Sequence, residues 1–228
     1  MTIQYESVVP WGRTYEEYIN MFNLSKKDLD KVILGCGDGP ADFNSVMKQK
    51  GKKVTSIDPI YAFSAKEIES RIEATYQTVM YQTKQNKDKF VWTKIKDVEE
   101  LGQVRMSAMK AFLADYENGK KENRYVSGEL PVLPFQNKQF ELALSSHFLF
   151  LYTDNLSLDF HVQAIDEMLR LADEVRIFPL LDVNANRSAY VDEIIKRYKN
   201  LGYDVEETQV DYEFQKGGNK MLKIHIAL

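Results

Sequence analysis

Cysteine is nearly missing from this chain: Cys36 is the only one among 228 residues. No intrachain disulfide can form, and a zinc site built on clustered thiolates is excluded; no metal is expected. Cys36 lies inside a glycine turn, where serving as a small turn residue is its simplest role. Excess positive charge is missing as well. Thirty Lys and Arg stand against 34 Asp and Glu, a formal net charge of −4, so affinity dominated by nucleic-acid phosphates is not expected, although a local basic patch stays open. No stretch approaches the roughly 20 apolar residues of a membrane span, and the opening residues carry no apolar signal core. These absences lead to the expectation of a soluble, cytoplasmic protein with no membrane partner. Internal repeats and low-complexity segments are also lacking.

What is present is enough for one full core. Hydrophobic residues make up 44% of the chain, and its length is near the upper size of a single domain, so 1–228 is read as one domain. The most informative stretch is "KVILGCGDGPADF", Lys31 to Phe43, which reads as a strand, a glycine turn and a helix. A nucleoside triphosphate loop would end in Gly-Lys-Ser/Thr, but Pro40-Ala41-Asp42 follows Gly39. A dinucleotide fingerprint would need a third glycine at position 40. The spacing is instead Gly35-x-Gly37-x-Gly39, with Pro40 suited to the first helical turn. Asp38 and Asp42 flank the expected helix start and would repel a pyrophosphate. They suit a ligand bearing an amine and a sulfonium, as S-adenosylmethionine does; the alternative is that both merely cap the helix.

Along the rest of the chain, strands and helices alternate. A helix is expected near Tyr15–Leu24, then the strand "KVILG", a helix from about Pro40 to Lys50, and a second strand, "GKKVTSIDPI", ending at Asp58-Pro59. The third strand, "RYVSGE", is delayed by residues 61–123. That stretch reads as helices, with Ile68, Ile72, Thr75 and Val79 at helical spacing. Connections in α/β units usually add only about 2–6 residues outside the helix, so the insertion is expected to be a lid, with a homodimer interface as the alternative. "QFELALSSH", a helix around "SLDFHVQAIDEMLRLA", "DEVRIFPLL" and a helix "SAYVDEIIKRYKNLG" follow. Two β-rich runs, "YDVEETQVDYEF" and "KMLKIHIAL", close the chain, with Gly217-Gly218-Asn219 as a hairpin signal. The pattern is α/β: a mostly parallel sheet with an antiparallel C-terminal edge.

These features together resemble the class I S-adenosylmethionine-dependent methyltransferases, whose Rossmann-like seven-stranded sheet ends in an antiparallel hairpin. "VVPWGR…EY", "ILGCGDGPADFN", "SIDPIYAFS", "LPF…FELALSSHFLFLY", "VRIFPLL" and "YEFQKGGNKML" are similar to an uncharacterised bacterial subgroup. The resemblance implies S-adenosylmethionine as cofactor and S-adenosylhomocysteine as product. It aligns Gly35, Cys36, Gly37, Asp38 and Gly39 with the turn against the methionyl part and ribose. Asp58, 23 residues beyond Gly35, matches the carboxylate that accepts both ribose hydroxyls; a turn cap ahead of Ile60 is the alternative. Pro59 and Ile60 would border the adenine, with Glu129 and Leu130 at its polar edge. Ser145, Ser146 and His147 would emerge at the carboxyl edge of the fourth strand, where open α/β sheets place ligands. Arg13 could clamp a carboxylate of cofactor or substrate.

Two positions depart from the family pattern. The acidic residue common two places before the first glycine is Ile33, so Asp38 would have to supply that charge, and the common aspartate of the fourth strand is Glu141. "SSHF" does not match the Asn-Pro-Pro-Tyr signature of amino-methylating nucleic-acid enzymes, which argues against DNA as partner. His147 is the best-placed base, with a buried, hydrogen-bonded structural histidine as the alternative, while His161 and His225 are read as structural. A small-molecule methyl acceptor is expected. A protein or RNA methyltransferase, or a catalytically silent S-adenosylmethionine-binding module, are the alternatives.

Overall fold

A computed structural model describes residues 9–226. The first eight residues of the opening stretch read for a signal core lie outside the described residues, as do the last two residues of the C-terminal run. The first element among the described residues is helix α1 (Tyr15–Met21), started by a reciprocal cap between Thr14 and Glu17. Strand β1 (Val32–Cys36), helix α2 (Phe43–Gln49) and strand β2 (Lys53–Ile57) follow. Then come helices α3 (Ala65–Gln85) and α4 (Val98–Lys121) and the two-residue strand β3 (Tyr125–Val126). Strand β4 (Phe140–Ser146), helix α5 (Leu158–Leu171), strand β5 (Ala172–Phe178), helix α6 (Val191–Asn200), and strands β6 (Tyr203–Gln209) and β7 (Lys220–Ile226) complete it.

The strands form one seven-stranded sheet in the order β3-β2-β1-β4-β5-β7-β6. All pairs are parallel except those of β7 with β5 and β6. This is the α/β sheet with an antiparallel C-terminal edge that the sequence leads one to expect. Strand β1 is apolar on both faces because both are covered. Leu34 and Cys36 face a core shared with Ile165 and Met168 of α5 and Ile194 of α6. Ile33 faces the opposite core, with Phe22, Phe43 and Met47. Each such fully buried side chain contributes about 1.5–3 kcal/mol relative to exposure. With β1 and β4 adjacent, their carboxyl ends and the turn after β1 open toward the same edge.

Two local expectations change. Pro40 lies in a turn, and α2 begins only at Phe43. The C-terminal hairpin is not tight: β6 stops at Gln209, and residues 210–219 form a long loop. The alternating Val210, Tyr212 and Phe214 are spent on tertiary contacts instead of a ladder. Val210 and Tyr212 enter the core beneath α1, and the Phe214 carbonyl accepts a hydrogen bond from Val91 at 2.7 Å.

The insertion between β2 and β3 is the helix pair α3 and α4. Its inner face joins Ile68, Ile72, Met109, Phe112 and Tyr116 to Tyr61 and Tyr125 of the sheet's edge. The segment joining the two helices is tied to the hairpin loop. Lys216 N–H donates to the Lys89 carbonyl at 2.9 Å, and the Phe90 and Phe214 rings stack with centroids 4.9 Å apart. The insertion and the loop together roof the carboxyl edge of the sheet.

Candidate functional site

Under that roof lies a cavity of about 720 Å³, within the range of about 300–1,000 Å³ common for small-molecule sites. The glycine turn forms one wall. Gly37 and Gly39 adopt φ of +71° and +53°, a region that favours glycine. A Cβ on Gly37 would press on Phe148 at 3.1 Å. Gly37, Asp38 and Gly39 line the cavity, as do Asp58, Pro59 and Ile60 after β2 and Glu129 and Leu130 after β3. Arg13, Tyr18, Ser146 and His147 complete this polar side.

Three of the expected residues do not reach it: Gly35, Cys36 and Ser145. Gly35 is needed for a different reason from ligand approach, because a Cβ there would lie 1.8 Å from Asp38 Oδ2. The Asp38 carboxylate thus occupies the space that the missing side chain leaves. Cys36 points into the α5 core, where burial pushes its thiol pKa well up. Ser145 is fully buried and its hydroxyl has no protein partner among the described residues. The strand alternation turns Ser146 toward the cavity instead.

The carboxylates are held by named donors. Asp38 accepts from Tyr18 Oη at 2.8 Å and Ser56 Oγ at 2.5 Å. Asp58 accepts from the backbone N–H of Gly39 and of Ile60, both at 2.9 Å. The turn-cap role is therefore real, and each oxygen of Asp58 spends only one of its lone pairs on it. Burial raises the pKa of Asp38 and of Asp58 to about 6, against the hydrogen bonds that lower it. Neither Asp38 nor Asp42 caps α2 with its side chain, although Asp42 holds the N-cap position. Asp42 accepts from the Tyr15 N–H at 2.6 Å, a contact spanning 27 residues that ties α1 to the start of α2, and burial raises its pKa to about 7. Ile33 lies fully buried in the core, so within the turn itself Asp38 supplies the carboxylate, with Asp58 reaching it from the end of β2.

The cationic wall was only partly legible. Arg13 lines the cavity. Its Nη1 donates to the Trp11 carbonyl at 2.9 Å, and its buried Nε has no partner among the described residues. Behind it, Arg105 of α4 is fully buried and forks onto Glu17, which also accepts from Tyr212 Oη at 2.8 Å. Glu17 thus neutralises Arg105, while Arg13 has no carboxylate of its own among the described residues. A signal for Arg105 was present: it interrupts the apolar stripe of Leu101, Ala108 and Phe112 on α4, where an unpaired charge would be costly.

His147 directly follows β4, with φ of +52°, uncommon for a residue with a side chain. Its Nδ1 lies 2.9 Å from Ser146 Oγ. Burial, and then the charges of Arg13 and Arg105, hold its pKa well below the usual imidazole value, so it is neutral at pH 7. His161 contacts the Ser157 and Leu149 carbonyls inside the α5 core side, and His225 faces Asp204 across β6 and β7; neither lines the cavity. No helix among the described residues is long and apolar enough to cross a membrane.

Comparison with known proteins adds a relative. The chain is 37% identical over 214 residues to the uncharacterized protein MJ0045 of Methanocaldococcus jannaschii, covering 93% of this chain and 94% of that one. The chain belongs to the family of that protein. This member of the family is archaeal, so the expected bacterial subgroup finds no support here. No protein-family model matches the chain. Among solved structures, the PH0226 protein from Pyrococcus horikoshii OT3 is similar at a TM-score of 0.48 and 10% identity, covering 93% of this chain and 91% of that one. The magnesium protoporphyrin IX methyltransferase ChlM from Synechocystis PCC 6803, solved with bound SAM, is similar at 0.46 and 11%, covering 89% and 73%.

Proposed function

We propose that this chain is an S-adenosylmethionine-dependent methyltransferase acting on a small-molecule acceptor. The observation that carries the reading is Asp58, a carboxylate fixed by two backbone amides at the end of β2, beside a glycine turn and facing the same cavity as Asp38 and Arg13. These groups fit such a cofactor. Asp58 retains acceptor capacity for two neighbouring hydroxyls. A Cβ at Gly39 would meet only Asp58 Oδ2, at 3.9 Å, so the backbone there is bare to a ligand. Asp38 offers an anion to an ammonium group, and Arg13, with its buried unpartnered Nε, offers a cation to a carboxylate.

When bound, the cofactor supplies an electrophilic methyl group on a sulfonium. The chain's own residues then have separable tasks. Pro59, Ile60 and Leu130 offer apolar contact to a base, and Glu129 an acceptor for an amino group. The roof of α3, α4 and the hairpin loop excludes water and holds the acceptor in line, from which much of the rate of such a displacement comes. Neutral His147 can accept the proton of an acceptor hydroxyl, with Ser146 Oγ holding its Nδ1 side.

The walls of the cavity support a small acceptor. Arg13 is the one Lys or Arg among the cavity-lining residues described, and Lys84, Lys87, Lys94 and Lys96 point outward from the insertion. That favours a small molecule over RNA or protein. Incubation with methyl-labelled S-adenosylmethionine and a cell extract split by size tests it. Label in the low-mass fraction is expected; label only in RNA or protein would select the alternative, and no turnover despite tight cofactor binding would select a silent module.

A further inference from the structure

Resting on that cofactor reading, we infer that the methyl acceptor is an uncharged, predominantly apolar molecule enclosed between the insertion and the loop joining β6 to β7. The cavity's walls divide by origin. Its charged side chains, Arg13, Asp38, Asp58 and Glu129, come from the N-terminal segment and the three loops after β1, β2 and β3. The apolar walls include Val79 of α3, Leu101 of α4, Phe90 between them, Phe214 of the hairpin loop, and Leu151 and Val183 beyond β4 and β5. No ionisable side chain comes from α3, α4 or the hairpin loop.

Two polar side chains on these apolar walls already donate inside the protein. Thr83 Oγ1 donates to the Val79 carbonyl of its own helix at 2.8 Å. Gln215 Nε2 donates to the Asp182 carbonyl, also at 2.8 Å. Neither is held in reserve for a ligand in the way that Asp58 and Arg13 are. An ionised acceptor pressed against these walls would lose its hydration with no counter-charge to replace it, whereas an apolar body gains from every area of contact it makes with them. The Phe90 and Phe214 rings, stacked at 4.9 Å, add a flat aromatic surface that suits a ring or an extended hydrocarbon. His147, neutral and at the polar end, is suited to an un-ionised hydroxyl or amine as the reacting group.

Calorimetry on the full chain, first titrated to saturation with S-adenosylhomocysteine, tests this with two matched pairs of probes: 2-naphthol against 2-naphthoate, and decanol against decanoate. The expected result is that at least one neutral probe binds, at least tenfold more tightly than its carboxylate partner. That preference should shrink at least fivefold in Phe214→Ala and in Val79→Lys. The wild-type comparison stands without either variant. Carboxylates binding as tightly as their neutral partners would overturn the inference and assign Arg13 to an acidic acceptor. Binding by neither neutral probe would overturn it while leaving the cofactor reading intact. Failure of the initial saturation would remove the cofactor reading itself, and the inference with it.

Discussion

Arg105 of α4 and Glu17 of α1 form a two-pronged ion pair in the protein interior, with Arg105 fully buried and its Nη2 donating to Glu17 Oε1 at 2.6 Å. The pair fastens the insertion to the N-terminal segment, and Tyr212 adds the hairpin loop to the same carboxylate. Burial alone would raise the pKa of Glu17, but the charge and hydrogen bonds of Arg105 outweigh it and hold it at about 2, below its ordinary 4.5. The stability this contributes is therefore present above pH 4.5 and is lost as pH falls toward 2. Arg105→Met leaves a buried carboxylate unpaired and should cost about 3–5 kcal/mol. Pairing it with Glu17→Gln should restore part of that loss, which chemical denaturation of the two variants will measure.

Asp38 should oppose stability while serving binding. Its pKa of about 6 lies above the ordinary 3.8, so ionising it in the folded protein is costly; that cost is complete above pH 6 and absent below pH 4. Asp38→Asn should accordingly raise the unfolding temperature at pH 8, with no gain at pH 4. The same variant should bind S-adenosylhomocysteine more weakly at pH 8. A thermal scan and a titration at both pH values check the two directions together.

Binding should also weaken in acid for the wild type. Asp38 and Asp58 both protonate near pH 6, and a protonated carboxyl no longer offers an anion to an ammonium or two free lone-pair sets to hydroxyls. Affinity for S-adenosylhomocysteine is expected to be level above about pH 7 and to fall steadily below 6. A flat profile from pH 5 to 8 would remove both residues from the site.

The roof should close as one unit. Val91 N–H donates to the Phe214 carbonyl and Lys216 N–H to the Lys89 carbonyl, so these two amides should share a common opening rate in hydrogen exchange. Saturating S-adenosylhomocysteine together with a neutral apolar probe should slow both. Exchange that responds to protein concentration and not to ligand would identify the insertion as a dimer interface.

Much of this fold is legible in the sequence because periodicity survives packing. The apolar run "VILGC", the amphipathic spacing of Ile68, Ile72 and Val79, and the long gap before "RYVSGE" each map onto one element. Long-range partners were not legible. Asp42 reads as a cap by its position, yet its side chain serves Tyr15; Val210, Tyr212 and Phe214 alternate like a strand, yet the first two enter the core beneath α1 and the Phe214 carbonyl accepts from Val91. At the site, the residue types at 38, 58 and 129 carry chemical meaning on their own. Ser145 and Ser146 differ only by which face of β4 they occupy, and the last turn of a strand is where a twist or a bend can change that. The strained backbone at His147 has no signature in the sequence.

Pyrophosphate ligands should fail at this turn. Asp38 and Asp58 lie beside it as buried carboxylates, and neither a lysine nor a long helix start is present to receive a phosphate. Competition with NAD or ATP at concentrations comparable to S-adenosylhomocysteine should displace none of it.

Titration calorimetry of S-adenosylhomocysteine into the wild type and into Asp58→Ala tests the central claim most directly. Loss of charge-assisted hydrogen bonds at Asp58 should weaken binding by about 1–3 kcal/mol, which is about five- to 150-fold in Kd. Equal affinity in the two proteins would take Asp58 out of the site, and absence of binding to the wild type would contradict the methyltransferase reading as a whole.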